Sequence, residues 1–264
     1  MGFDHTRHTR SDRIDIHHYG RKLQRDLKAL DADPRITDGQ KKQIKRFVHD
    51  ARVGRTVARR ARKQVSDGRC QKYIYHLRRF AIEMGETPLD EVTADQVEAF
   101  ILGLESGDIG KLIGNGPYAH ETVLDYKKIL RKFYGYVHGQ ASAKALDLVG
   151  WFDMREDPPE LSTFGLAEAE EMAYAAGSVQ GRALVMACFD GGYRPGELFN
   201  VRLKDVSFIL GEDGAWTVCT KVRHSKTKPR SVSLPLATQA LRCWIERHPS
   251  GGKTRSDGGL DAKD

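Results

Sequence analysis

The spacing of the apolar residues constrains the fold of this chain more than any other feature, because it is helical over the first 140 residues. Apolar side chains recur there every three or four residues, which gives a helix one face to bury. Four stretches have this spacing, at 44–51, 70–84, 97–104 and 123–137. Thr93 and Gln96 have the sequence of a capping box that opens the third helix, and a fifth, charged helix is expected near residues 18–30. This half is therefore predicted to be an all-α bundle.

The second half has a mixed pattern. Helical spacing predicts three helices, at about 167–176, at 180–190 and from Pro195. Alternating spacing then predicts three short strands, at 206–209, 216–222 and 231–234. Helical spacing returns over residues 240–245. The predicted fold class is α+β, mainly helical with a small β-sheet.

Composition and the loss of periodicity divide the chain into five parts. They are a basic N-terminal extension (1–36), a helical domain (37–139), a linker (140–160), a mixed domain (161–248) and a tail (249–264). The linker contains Asp157-Pro158-Pro159, which cannot continue a helix. The tail consists mostly of Gly, Lys, Ser and Asp and is expected to be disordered.

Positive charge is concentrated in the helical half. Residues 1–140 hold 27 Lys and Arg against 19 Asp and Glu, whereas 141–264 hold 16 against 17, for a net charge of +7. Within the first half, residues 41–79 carry 14 basic and two acidic side chains, and 80–110 carry eight acidic and no basic ones. One strongly positive side attracts a phosphate backbone. A solvated helical surface gives the same charge pattern, so both interpretations stay open.

A turn between two helices places an arginine at a rigid position. Gly191 and Gly192 let the chain reverse, Pro195 starts the next helix, and Glu197 lies in its first turn. Arg194 is thereby fixed at the joint. On spacing alone this arginine is either a structural residue, which pairs with Glu197 or caps carbonyl groups, or one presented to a ligand.

This joint resembles the first catalytic motif of the tyrosine recombinases, the integrase and Xer-type family. The matching positions are Gly192, Arg194, Glu197, Leu198 and Asp205. The family then has a β-hairpin that bears a lysine, and residues 224–235 resemble that hairpin and its following strand. Lys226 is the matching lysine, and Lys228, one register away, stays open as the alternative.

The resemblance extends over about residues 40–248. The blocks at 67–80, 87–100 and 118–136 look like the SAM-like helical core-binding domain of these enzymes, particularly archaeal members, and the mixed half looks like part of their catalytic domain. It implies double-stranded DNA and other recombinase subunits on DNA as partners, and a cytoplasmic, nucleoid-associated protein. The candidate DNA-binding residues are Arg59, Arg60, Arg62, Lys63, Arg69, Lys72, Lys127, Lys128 and Arg131. Lys132 is a further candidate on the same stretch.

The resemblance also implies a chemistry. In the family a tyrosine attacks a DNA phosphodiester, a 3′-phosphotyrosyl bond forms and a 5′ hydroxyl leaves. A fixed guanidinium matches the geometry of the charged phosphate, so neither a metal nor a cofactor is expected. Arg194 would bind the phosphate, Glu197 would orient Arg194, and Lys226 would protonate the leaving oxygen.

Two elements of the family pattern are missing from this sequence. The last tyrosine is Tyr193, and His248 is followed three positions later by Gly251, so neither the nucleophile nor the second arginine motif is present. We therefore expect a site-specific recombination or integration protein with an incomplete active site, unable to cleave DNA alone. The alternatives are a non-enzymatic recombinase-derived regulator or modulatory subunit, and an unrelated helical transcription factor.

Other ligand classes find little support in the sequence. The longest apolar run, residues 183–189, is far below the ~20 residues of a membrane helix, so no membrane partner is expected. A small-molecule substrate is not expected either. The four cysteines form no Cys-x-x-Cys pair, which argues against a metal site, and all four thiols are expected to be buried.

Overall fold

The chain folds into two compact units. The structure, a computed structural model, describes residues 14–56, 64–112, 114, 116–156, 162–225 and 228–249. Residues 18–159 form one unit, here called the helical unit. The described residues within 1–17 and 160–264 form the other, here called the mixed unit. The described residues are mainly helical with one three-stranded antiparallel sheet, which confirms the α+β class.

The helical unit contains six helices among its described residues. They are α1 (Tyr19–Asp31), α2 (Asp38–Arg52), α3 (Asp67–Met84), α4 (Ala94–Ser106), α5 (His120–His138) and α6 (Ala143–Val149). The capping box at the start of α4 is present, with the Thr93 hydroxyl accepting from the Gln96 N–H and the Gln96 side chain accepting from the Thr93 N–H. Thr37 and Gln40 make the same box at the start of α2. All five helices predicted from this half are confirmed.

Aromatic rings fill the core of this unit. Phe47, Phe80 and Phe100 are almost completely buried, and Phe80 meets Phe100 edge to face at 4.9 Å between ring centroids. Tyr126 and Tyr134 are fully buried beside them. Such rings contribute large buried areas and prefer tilted contacts over stacked ones. The apolar stripes read from the sequence are therefore the packed faces of the helices.

The predicted extension and linker are both partly helical. Helix α1 lies in the stretch 1–36, and α6 lies in 140–160, where the Ser142 hydroxyl caps its first turn. Leu148 and Val149 from α6 join the main core of the unit. A helix of seven residues contains too few repeats for its period to be recognised in the sequence. For this reason α6 was not predicted within the stretch 140–160. The Asp157-Pro158-Pro159 segment lies outside the described residues.

The described part of the mixed unit consists of four helices and a small sheet. The helices are α7 (Leu166–Ala175), α8 (Val179–Gly191), α9 (Pro195–Leu198) and α10 (Thr238–Glu246). A 3-10 turn at Leu203–Asp205 leads into the strands β1 (Val206–Leu210), β2 (Trp216–Val222) and β3 (Arg230–Leu234). The strands are antiparallel in the order β1-β2-β3, with Val206 opposite Thr220 and Val222 opposite Arg230. These elements confirm the predicted helices and strands.

The four cysteines differ in how far they are buried. Only Cys70 is buried; Cys188 is exposed, and Cys219 and Cys243 are half-buried, so the expectation of four buried thiols was wrong. Cys188 lies on α8, a helix with just three buried residues, and its outward face includes this position.

Across the described ranges, every helix is too short or too polar to cross a bilayer.

Candidate functional site

The joint between α8 and α9 has the conformation that the sequence predicts. Gly192 ends α8 in the left-handed region, with φ 54°, and its N–H donates to the Cys188 carbonyl at 3.2 Å. A side chain at Gly191 would bring its Cβ within 2.2 Å of the Tyr193 ring, so both glycines are needed for the reversal. Arg194 follows in an extended conformation as the N-cap of α9, and Pro195 is the first helical residue. The Arg194 side chain therefore extends from a fixed position of the backbone.

A buried carboxylate, that of Glu197, organises the site. Glu197 is only 3% exposed. Its Oε2 accepts from the Arg194 backbone N–H at 3.1 Å, and its Oε1 accepts from Arg194 Nη1 at 3.2 Å. The predicted pair between Arg194 and Glu197 is thus present, and it fixes both the start of α9 and the direction of the guanidinium.

A second arginine binds the same carboxylate. Arg230 donates from Nη2 to Glu197 Oε2 at 2.8 Å and from Nη1 to Oε1 at 3.2 Å, which is a bidentate arrangement. The Ser225 hydroxyl also donates to Oε1, at 2.8 Å. We call the group Arg194, Glu197, Ser225 and Arg230 the Glu197 cluster. Its two guanidinium groups and one carboxylate give it a net charge of +1.

The charges of this cluster depend on each other. The Arg230 guanidinium is the largest of the influences that lower the pKa of Glu197 from 4.5 to about 2, and Ser225 and Arg194 add to it. The carboxylate in turn raises the pKa of Arg230. Meanwhile the side chains of Arg194 and Arg230 are 56% and 35% exposed. The Glu197 carboxylate is buried and the two arginine side chains are partly exposed, so the cluster presents positive charge to solvent.

Sequence reasoning did not single out Arg230. The residue was read only as the lead-in to a strand, because nothing local marks it as different from other basic residues. The register of the sheet is what brings it to the site: Arg230 is the first residue of β3 and lies opposite Val222, the last residue of β2. A search for cations that could pair with Glu197 could have indicated Arg230. A carboxylate that is buried in the first turn of a helix needs a positively charged partner.

A second buried pair lies at the base of the hairpin. Asp205, whose side chain is fully buried, forms an ion pair with Arg223, the first residue after β2. Asp205, one of the positions that match the family motif, therefore connects the 3-10 turn before β1 to the residue that follows β2. Such a pair anchors the hairpin at its root.

The lysine assignments have different outcomes. Lys226 lies outside the described residues, so its convergence with Arg194 stays a prediction. Its neighbour Ser225 is described and bonds the same carboxylate as Arg194. Lys228, the alternative, is exposed.

The tyrosine beside Arg194 is not placed as a nucleophile. Tyr193 is 8% exposed, and its hydroxyl is hydrogen-bonded to the Thr220 hydroxyl inside the unit. Burial raises the pKa of this phenol. Because the phenolate is disfavoured and the oxygen is enclosed, Tyr193 serves the packing of the sheet against α8.

The candidate DNA-binding residues other than Lys127 form two groups. Arg59, Arg60, Arg62 and Lys63 lie outside the described residues. Arg69, Lys72 and Arg131 are exposed, whereas Lys128 is half-buried and its ammonium pairs with Glu156; their role in DNA binding stays a prediction. Lys72 pairs with Asp125 at 2.5 Å, which links α3 to α5, and Lys128 and Arg131 follow Asp125 at helical spacing on α5. We call Arg69, Lys72, Lys128 and Arg131 the basic face.

Lys127 does not belong to this face. The residue is 6% exposed, and its ammonium pairs with Glu105 at 2.7 Å. Its assignment as a DNA-binding residue was therefore wrong, because a cation that is already buried against a carboxylate cannot reach a phosphate. Lys132 is half-buried, with its ammonium 5.5 Å from the centre of the Tyr73 ring. The tyrosines at 73, 126 and 134 are all core residues.

No described cluster of His, Cys, Asp and Glu has the composition of a metal site. A comparison of the chain with models of protein families, with curated proteins and with solved structures finds no match. The chemistry of the site must therefore be argued from its own geometry.

Proposed function

We propose that this chain binds duplex DNA as a protein of the tyrosine recombinase type, acting in site-specific recombination or integration. The observation that carries the proposal is the Glu197 cluster, in which a buried carboxylate holds Arg194 at a rigid helix start while the Arg194 side chain stays 56% exposed. A preoriented guanidinium is the group best suited to a phosphodiester, because it needs no reorganisation when it binds. In this role Arg194 binds one backbone phosphate.

The hairpin supports the same assignment. The Ser225 hydroxyl bonds Glu197, so the chain immediately before Lys226 reaches the cluster. The buried Asp205–Arg223 pair holds the root of that hairpin. In a complete recombinase site, the resemblance implies that the lysine matching Lys226 protonates the leaving oxygen. The helical unit would add phosphate contacts from its basic face, which carry affinity but no sequence preference.

Binding without cleavage is the activity proposed for these 264 residues. No tyrosine follows Tyr193 in the sequence, and Tyr193 itself is enclosed. Mixing the chain with a duplex and denaturing the sample should therefore leave no protein covalently joined to DNA. The same properties suit the alternative proposal, a recombinase-derived regulator that occupies DNA or modulates intact recombinases.

The experiment that tests the proposal is a salt titration of duplex binding, followed by fluorescence anisotropy. If the basic face binds phosphates, the logarithm of the affinity falls linearly with the logarithm of salt concentration, with a slope of about −0.9 for each phosphate neutralised. Reversing two charges, with Arg69→Glu and Lys72→Glu together, should lower affinity about tenfold or more and flatten the slope by about 2.

Lys144→Glu is the matched control, because Lys144 is an exposed lysine of the same unit that lies on α6, outside the basic face, where its ammonium donates to the Asp90 carbonyl at 2.9 Å. The control should bind nearly as well as the parent chain. An affinity that does not respond to salt, or an equal loss in the Lys144 variant, would contradict the proposed binding surface.

A further inference from the structure

The phosphate proposed at Arg194 has a second guanidinium within reach. Arg194 Nη1 and Arg230 Nη1 are each 3.2 Å from the same oxygen, Glu197 Oε1, so the two nitrogens lie within twice that distance of each other. A phosphate that accepts hydrogen bonds of about 2.8 Å through two of its oxygens bridges nitrogens at such separations. One anion can therefore contact both arginines.

Glu197 cannot satisfy all the donors around it. Its two oxygens accept from the Arg194 backbone, from Arg194 Nη1, from Ser225, and from both Arg230 Nη atoms. A carboxylate offers about four lone-pair sites, so it is already saturated. Each guanidinium carries five N–H donors, and among the described residues Glu197 is the one carboxylate that either arginine contacts.

Each guanidinium keeps N–H donors that Glu197 does not use. Arg194 gives Glu197 only Nη1, and Arg230 gives it Nη1 and Nη2 from the tip of the group. The Nε–H of both residues donates to no described acceptor. Because both side chains are partly exposed, these donors can reach a ligand from solution. An anion with several oxygens can accept from donors of both cations at once and is favoured by their charge.

We propose that Arg230 is a second phosphate-binding residue, which holds the same DNA backbone phosphate as Arg194. The inference rests on the proposed phosphate contact of Arg194 and deepens it. Arg230 provides a second guanidinium from the first residue of strand β3. Two fixed guanidinium groups on one phosphate bind it more tightly and orient it better than one does.

The test observes both side chains directly in the parent chain. The chain is labelled with ¹⁵N, the Nε–H resonances of its arginines are recorded, and a short duplex is added in steps. Single Arg→Lys variants assign the resonances. We expect those of Arg194 and Arg230 to move together, with the same dependence on duplex concentration. Arg35 and Arg78 of the helical unit also share one buried carboxylate, that of Asp33, and serve as internal controls that should not move.

Each other outcome has a distinct meaning. Movement of Arg194 without Arg230 overturns the second-residue inference and leaves the proposed function intact. If DNA binds but neither resonance moves, both the inference and the phosphate contact in the mixed unit are wrong. If DNA does not bind at all, the proposed function fails, and the inference fails with it.

A variant adds an independent measurement. Arg230→Lys keeps a cation beside Glu197, so the chain should stay folded, but it removes the planar fork that matches a phosphate. We expect its duplex affinity to fall about threefold, with an unchanged melting temperature to within a few degrees. Arg242→Lys is the matched control, because Arg242 is an exposed arginine of the same unit paired with Glu246. Equal affinities for the parent and Arg230→Lys chains would contradict the inference.

Discussion

Each unit of this molecule contains a buried carboxylate held by two arginines, and the two clusters differ in what they connect. In the helical unit, Asp33 accepts a bidentate pair of bonds from Arg35 and two more from Arg78 of α3. In the mixed unit, Glu197 accepts from Arg194 and Arg230. Both carboxylates are nearly inaccessible, at 3% exposure for each residue.

The chemistry of the two clusters is almost the same, so a pair of arginines on a buried carboxylate does not by itself indicate a phosphate site. The Asp33 cluster fastens the turn after α1 to helix α3, and both of its arginines direct Nε and Nη2 at the carboxylate. The Glu197 cluster leaves both Nε atoms free of described acceptors and includes Ser225 from the hairpin. Free donors beside that hairpin are what favour a ligand in the mixed unit.

Removing each carboxylate should have the largest effect. Asp33→Ala and Glu197→Ala each leave two partly exposed guanidinium groups without their shared buried anion. Because water still reaches these arginines, we expect each change to lower the free energy of unfolding of its own unit by about 1–2 kcal/mol. Thermal unfolding, followed by circular dichroism and by the tryptophans of each unit, measures this. Equal melting curves for parent and variants would show that the clusters do not stabilise the fold.

Acid should weaken both clusters, with a direction that follows from their pKa values. The pKa of Glu197 is lowered to about 2 from 4.5, chiefly by Arg230, and Arg35 holds the pKa of Asp33 well below its usual range. A lowered pKa adds stability that is complete above the ordinary value and is lost as the pH falls toward the folded value. We therefore expect the mixed unit to lose stability between about pH 4.5 and 2, as measured by urea unfolding.

Glu197→Gln is the control for the acid experiment. Glutamine does not titrate, so stability at this site should no longer depend on pH over that window. A variant whose stability still falls as steeply as that of the parent chain would assign the acid response to other carboxylates.

Binding should separate the two clusters where stability does not. Arg194→Ala should flatten the salt dependence of duplex binding by about 0.9, whereas Arg35→Ala should leave the slope unchanged. The two residues make a fair pair, since their side chains are 56% and 51% exposed and each bonds a buried carboxylate. Equal slopes for the two variants would remove the distinction between a binding cluster and a structural one.

A smaller contrast lies within helix α5. Lys127→Met should leave duplex affinity unchanged, because this lysine is buried against Glu105, whereas Lys128→Met should weaken binding about twofold to threefold by removing a phosphate contact. Anisotropy titrations at one moderate salt concentration compare the two. A larger loss for the Lys127 variant would restore it to the DNA-binding set.

The sequence predicted the elements better than it predicted the site. Helix faces and short strands follow from local spacing, and these were read correctly from the core of α3 to the strands of the sheet. Lys127 was misassigned because a charged residue on a helix gives no local sign of being buried. Arg230 was missed because its role depends on the pairing of β2 with β3, which is not a property of neighbouring residues. Local pattern thus sets the elements, and tertiary contact decides which charges are available.

The most direct measurement is a structure of this chain bound to a short duplex. We predict one backbone phosphate within hydrogen-bond distance of the guanidinium groups of both Arg194 and Arg230, with further phosphates along Arg69 and Lys72. A complex in which the DNA contacts the molecule elsewhere and leaves Arg194 facing solvent would contradict the assignment of the Glu197 cluster as a phosphate site.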